Sequence, residues 1–190
     1  MSNLIGSRIA GGNTAYHRAE SDFYPTPPEP TIALLDFLEL DRNCVIWECA
    51  AGEGHMTETI KKRGYKVLST DISSGVDYLK SETPFGVDFI ITNPPFSLAD
   101  KFIVKSLERG IPFAFLLKSQ FFHAKKRYAL FYAHPPTYVL PLTWRPDFLF
   151  GKRGSGSPLM DVLWAVWIPG RTKTLYRPLA KPQEAENENS

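Results

Sequence analysis

The residues best equipped for chemistry are Asn93-Pro94-Pro95-Phe96, which follow directly on the apolar run 87–92. Asn93 offers a carboxamide oxygen and Pro94 a backbone carbonyl held in direction by its ring, so two acceptors can converge on one amino group bearing two hydrogens. That geometry suits an amino group on an aromatic ring. Its lone pair is delocalised, and accepting hydrogen bonds from both hydrogens favours the tetrahedral nitrogen of a transition state. Phe96 adds a flat apolar face on which an extruded base can stack. A Pro-Pro turn closing a strand is the plain reading of the same residues, but a turn needs neither the asparagine nor the aromatic.

A second constellation is Trp47-Glu48-Cys49-Ala50-Ala51-Gly52-Glu53-Gly54, where an apolar run delivers an acid and then small residues to a tight turn that opens a helix. A ligand can approach the backbone closely at such a turn. Position 57 is Thr, so the dinucleotide fingerprint is incomplete and a pyrophosphate is a poorer fit. The Glu48 carboxylate suits a ligand bearing an ammonium group. Asp71 closes the next apolar run, 19 residues after Gly52, where an acid can bind both hydroxyls of a ribose. Together these features describe an adenosine that carries an amino acid.

The elements that must position these residues alternate short β-rich runs with helical patterns, the signature of a mostly parallel α/β sheet flanked by helices. After Tyr24-Pro25-Thr26-Pro27-Pro28, helices are expected over 31–40, 55–62, 101–109 and 124–133. Strands are expected over 44–49, 65–70, 87–92, 112–117, 137–142 and 161–168, with a short element at 76–79. No helical pattern separates the last two strands, so they can pair as a C-terminal antiparallel hairpin with a long connection over 143–160. Residues 1–20 lack periodicity and read as a flexible arm, 21–177 as one domain, and 178–190 as a disordered tail.

With 190 residues, 43% hydrophobic, the chain fits one compact domain with a substantial core. No run of roughly 18 apolar residues and no leader pattern is present, so a cytoplasmic protein is expected, with no membrane contact. Cys44 and Cys49 are too few for a disulfide framework and do not match a zinc site, so no metal is expected. The formal charge of +2 conceals two opposed parts. Residues 1–100 carry 8 Lys/Arg against 14 Asp/Glu, net −6, whereas residues 101–177 carry 13 against 3, net +10. An excess of that size favours a nucleic-acid footprint over an ordinary solvated surface. Its candidates are Lys118, His123, Lys125, Lys126, Arg127, Arg145, Lys152 and Arg153. Trp144 and Phe148 read equally as anchors of the long connection or as stacking residues.

The order Tyr-x-Thr-Pro, Glu-x3-Gly-x-Gly, Asp, Asn-Pro-Pro-Phe resembles DNA amino-methyltransferases, and most closely the small adenine-N6 methyltransferases of bacteriophages and prophages, over residues 22–168. The resemblance implies a Rossmann-like class I methyltransferase fold, S-adenosylmethionine as cofactor and adenine in DNA as substrate, with 143–160 as the target-recognition loop. It implies that Tyr24, Thr26 and Pro27 line the methionine end of the cofactor, and that Glu48, Ala50, Gly52 and Gly54 meet its methionine and ribose. Asp71 would take the ribose hydroxyls, with Ile72 beside it, and Asp77 and Tyr78 would flank the adenine. Asn93, Pro94, Pro95 and Phe96 would be the catalytic loop. Phe96 stands where the family often has Tyr, a change that loses a hydroxyl and keeps a stacking face. Members acting on cytosine tend to carry Ser at the position of Asn93, so Asn93 favours adenine. Alternative readings are a methyltransferase for RNA adenine or a protein glutamine, and a catalytically silent nucleic-acid-binding relative.

Overall fold

The computed structural model of the chain describes residues 24–150, 158 and 160–183. The expected arm over 1–20, Lys152, Arg153 and positions 184–190 of the expected tail lie outside the described residues.

A seven-stranded sheet runs in the order β2-β1-β3-β4-β6-β5-β7. Its strands are β1 (Val45–Glu48), β2 (Lys66–Ser69), β3 (Phe89–Thr92), β4 (Phe113–Lys118), β5 (Tyr138–Pro141), β6 (Val162–Trp167) and β7 (Leu175–Tyr176). Among them β6 alone runs against its neighbours, with Phe113 opposite Trp167 in β4 and Tyr138 opposite Val166 in β5. The expected parallel sheet and its antiparallel hairpin are both present. Among the described residues four α-helices flank it: α1 (Pro28–Leu38), α2 (His55–Lys62), α3 (Ala99–Arg109) and α4 (Tyr128–Ala133).

The two faces of the sheet are separate apolar layers, because successive side chains of a strand point to opposite sides. Ile46, Phe89, Ile91, Ala114 and Leu116 pack with Leu34 and Leu35 of α1 and Met56 and Ile60 of α2. Trp47, Ile90, Phe113, Phe115 and Leu117 pack on the other side with Phe102 and Ile103 of α3. Strands β1, β3 and β4 are buried on both faces and read as continuous apolar runs for that reason.

Several boundaries differ from those expected. Helix α1 starts at Pro28, three residues early, because a proline in the first turn has no N–H to leave unpaired. The expected element at 76–79 is a set of turns, with Asp77 accepting from the N–H groups of Leu79, Lys80 and Ser81 through its side chain or carbonyl. The helix expected over 124–133 is split. A 3₁₀ turn, Lys125–Arg127, precedes α4, and the Arg127 guanidinium lies 3.8 Å over the Phe121 ring. Strand β7 was not expected, and Leu179 beyond it is buried in the core, with its carbonyl accepting from Thr143 at 3.0 Å. The packed chain therefore extends past the boundary at 177. No helix among the described residues is long and apolar enough to cross a membrane.

Candidate active site

Strand order reverses between β1 and β3, since the chain leaves β1 for β2 on one side and later fills β3 on the other. Open α/β sheets hold ligands in the crevice beyond the strand ends at such a point. The residues singled out in the sequence arrive there because each ends a strand. Glu48 ends β1, Asp71 follows β2, and Asn93 follows β3.

They line a cleft of about 350 Å³ together with Tyr24, Thr26, Ala50, Gly52, Ile72, Pro94 and Pro95, a size within the ~300–1,000 Å³ of small-molecule sites. Five expected residues lie outside this lining, and one of them, Tyr78, is buried in the core with its hydroxyl bonded to that of Ser106 at 2.6 Å rather than facing a ligand. Pro27 and Gly54 precede α1 and α2 as their caps, Phe96 packs beside the lining residue Tyr24, and Asp77 pairs with Lys80 at 3.0 Å. Pro25, Ala51, Glu53, His55, Met56 and Ser73 also line the cleft and were not singled out. All but Met56, which lies two positions from Gly54, adjoin a residue that was, and that nearness was the only sequence signal available for them.

The glycine turn owes its shape to two left-handed residues, Gly52 at φ 52° and Gly54 at φ 83°. A side chain at Gly54 would meet no atom within 4 Å, so the backbone conformation and not crowding requires glycine there. Gly52 N–H donates to Asp71 Oδ2 at 2.9 Å and Ser73 N–H to Asp71 Oδ1 at 2.8 Å. Partial burial works to raise the Asp71 pKa, but these hydrogen bonds outweigh it and hold the carboxyl below its usual value. Each oxygen keeps a lone pair for a ligand hydroxyl.

Glu48 is only 2% exposed and accepts from the Thr57 hydroxyl. Thr57, which breaks the dinucleotide fingerprint, is thereby the support of the acid. Burial pushes the Glu48 pKa up to about 7 against the lowering effect of Thr57, so the cleft holds a carboxyl poised between its two states.

Asn93 carries the most telling geometry. Its Nδ2 donates to the Tyr24 carbonyl at 3.2 Å and the Thr26 hydroxyl at 3.1 Å. A carbonyl can only accept, so the amide orientation is fixed with the oxygen turned away from Tyr24. That oxygen is buried and has no partner. Buried polar atoms are rarely left unpaired, and one in a cleft is a place for a ligand donor. The loop is held as a turn into α3, with the Leu98 N–H donating to the Pro95 carbonyl at 2.9 Å. Phe96 lies 5.5 Å from the Tyr24 ring, and Lys118 Nζ, at the end of β4, stands 4.2 Å over Phe96.

The expected cationic residues separate into different settings. Lys118 stands over the Phe96 and Tyr24 rings, and His123, Lys125 and Lys126 are exposed, Lys126 reaching Asp100 at 3.7 Å. Arg127 is half-buried and donates to the Phe121 carbonyl, and Arg145 pairs with Asp161 at 2.7 Å. Phe148 is buried at 3% exposure and Trp144 packs against the core, so both act as anchors. Phe150, not foreseen, is exposed at φ 49° and lies 5.2 Å from the His55 ring. Sequence reading also missed Arg109, whose guanidinium lies 4.6 Å over Tyr78 and donates to the carbonyls of Tyr78 and Ser81. It fixes the segment that follows Asp71.

The chain has the Rossmann-like fold of class I methyltransferases. No protein-family model and no curated protein sequence matches it. Solved structures do share its fold. One is a Pyrococcus horikoshii protein assigned as an RNA methyltransferase, with a TM-score of 0.58 at 16% identity over 88% of this chain and 99% of that one. Another is a modification subunit assigned to a type I restriction enzyme of Vibrio vulnificus, with a TM-score of 0.54 at 12% identity over 96% of this chain and 52% of that one. A third is a dimethyladenosine transferase from Plasmodium falciparum, with a TM-score of 0.52 at 14% identity; it matches 77% of this chain, which spans 63% of its length.

Proposed function

We propose that this chain is an S-adenosylmethionine-dependent methyltransferase acting on the exocyclic N6 of an adenine flipped out of DNA. The unpaired, buried Asn93 oxygen carries the reading, because it is an unsatisfied acceptor on a residue lining a cleft that already holds the acids an aminoacyl-adenosine needs. The residues fit that cofactor. Asp71 is placed for the ribose hydroxyls, Gly52 for close backbone approach, Ile72 for an apolar contact with the adenine, and Glu48 for the ammonium group.

When bound, S-adenosylmethionine supplies a methyl group on a cationic sulfur. Asn93 would accept one hydrogen of the target amino group and the Pro94 carbonyl the other, which would free the nitrogen lone pair for the methyl group. The proton lost after transfer can leave to water, so no side chain is required as a base. Phe96 holds the plane of the base, and Phe96→Ala is expected to weaken base binding by about 1 to 3 kcal/mol, seen as a raised KM for the nucleic acid.

The buried acid gives the reaction a pH signature. An ammonium group favours the Glu48 carboxylate, so cofactor affinity should rise from pH 6 toward about 8 and flatten above, tracking the carboxyl of about 7. Calorimetry across that range should show the rise for the native protein and none for Glu48→Gln. Without ligand the sign reverses for stability. A carboxyl raised above its ordinary 4.5 favours the fold most at low pH, and that contribution declines as pH climbs toward 7.

The names of the structural neighbours favour a second reading, adenine in RNA, since one is a dimethyladenosine transferase and another a 23S rRNA methyltransferase. One experiment separates the two. Labelled methyl transfer to duplex DNA, single-stranded DNA and RNA in parallel, with nucleoside analysis, should place N6-methyladenine in DNA; label in RNA alone selects the second reading. A protein that binds no S-adenosylmethionine would remove both.

A further inference from the structure

A second groove, of about 530 Å³, runs along α3 beside the Lys125–Arg127 turn and is lined by Lys101, Val104, Lys105, Lys126 and Leu130 among others. It starts close to the catalytic loop. Helix α3 begins three residues after Phe96, and Lys126 reaches Asp100 in its first turn. Next to it, the six residues of α4 divide sharply. Leu130 and Phe131 pack on the core, whereas Tyr128 and Tyr132 point out, 69% and 78% exposed, with rings stacked 5.7 Å apart at 25°.

Two large rings left in solvent on one turn contribute little to this fold, since the inward face of α4 already supplies its apolar contacts. Their neighbours are cationic. The acids lining the groove are taken, Asp100 by Lys126 and Glu108 by Lys105. Lys101 and Lys125, both exposed, have no acidic partner among the described residues. Exposed aromatic rings beside surplus cations are what single-stranded nucleic acid requires, because the cations track phosphates and every unpaired base has a face to stack.

We infer that the α3–α4 face is a second binding surface for the nucleic-acid substrate, where Tyr128 and Tyr132 stack on bases of a single-stranded stretch flanking the target and the groove's lysines hold its phosphates. This rests on the nucleic-acid reading above and adds to it a requirement for opened strands. A strand held there would lie beside the loop that receives the flipped base.

The test is fluorescence anisotropy with two dye-labelled single-stranded oligodeoxynucleotides, one of about twenty nucleotides and one of about four, chosen around the ~4–16 nucleotides that such surfaces cover. The pair Y128A/Y132A should weaken binding of the longer strand about tenfold or more and leave the shorter strand and S-adenosylmethionine unaffected. Y128F/Y132F should bind like the native protein, because stacking survives loss of the hydroxyls. Lys101→Glu with Lys125→Glu should flatten the salt dependence on the longer strand. Equal binding of the longer strand by the native and Y128A/Y132A proteins overturns the inference and leaves the proposed activity standing. So does a native dimer that Y128A/Y132A converts to a monomer in sedimentation, which would assign the face to a second copy of the chain. A native protein that binds neither strand overturns the DNA reading on which the inference rests.

Discussion

Replacing Asn93 with alanine is expected to lower turnover by about a hundredfold or more while S-adenosylmethionine still binds. The expectation follows from the amide's two halves. Its nitrogen is spent on Tyr24 and Thr26, and its oxygen is buried and without a partner, which the proposed reaction assigns to the substrate. Losing one oriented donor from an oxyanion hole typically costs ~10²–10³ in rate, and the loss of an oriented acceptor is expected to act on the same scale. Alanine also releases the Tyr24–Thr26 segment, so Thr26→Val is the control. It removes one restraint on the amide but spares the oxygen, and should lose much less. Turnover measured with cofactor affinity in the same samples decides the matter, and near-native turnover in Asn93→Ala would remove this loop from the chemistry.

The second large effect concerns Asp71. Asp71→Ala should weaken cofactor binding roughly a hundredfold, since hydrogen bonds to a charged group are worth about 1.5 to 3 kcal/mol each and a ribose offers two hydroxyls. Part of any loss comes from the turn, because Asp71 also accepts from Gly52 and Ser73. Asp71→Asn separates the contributions by keeping an acceptor oxygen without the charge. Calorimetric titration should rank native above Asn above Ala. An alanine variant with native affinity would show that the ribose is held elsewhere.

The candidate site was legible in the sequence because its residues are unusual for their places. An asparagine before two prolines, an acid ending an apolar strand and a Gly-x-Gly turn are local patterns, and the sheet brought them together by adjacency at strand ends. Long-range partners left no such trace. Nothing in the helix-terminal pattern around Arg109 shows that it will hold the carbonyls of Tyr78 and Ser81. The basic run at 125–127 looked uniform, yet Arg127 is turned inward over Phe121 while Lys125 stays in solvent. Strand β7 spans two exposed residues and pairs only at a sheet edge, so it has no alternating pattern to read. Thr57 looked like a defect in a fingerprint and proved to be the hydrogen-bond donor to Glu48.

Strand β6 has a consequence for the protein's birth on the ribosome. It is wholly buried, pairs along six residues with β4, and ties back to the first helix through Trp164 Nε1 donating to the Pro30 carbonyl at 2.8 Å. Until residue 167 has been synthesised, the nascent chain displays the bare edge of β4 and the apolar surfaces meant to pack around β6. Such an edge invites pairing with other chains. The sheet therefore cannot close between β4 and β5 before β6 is available to pair with both.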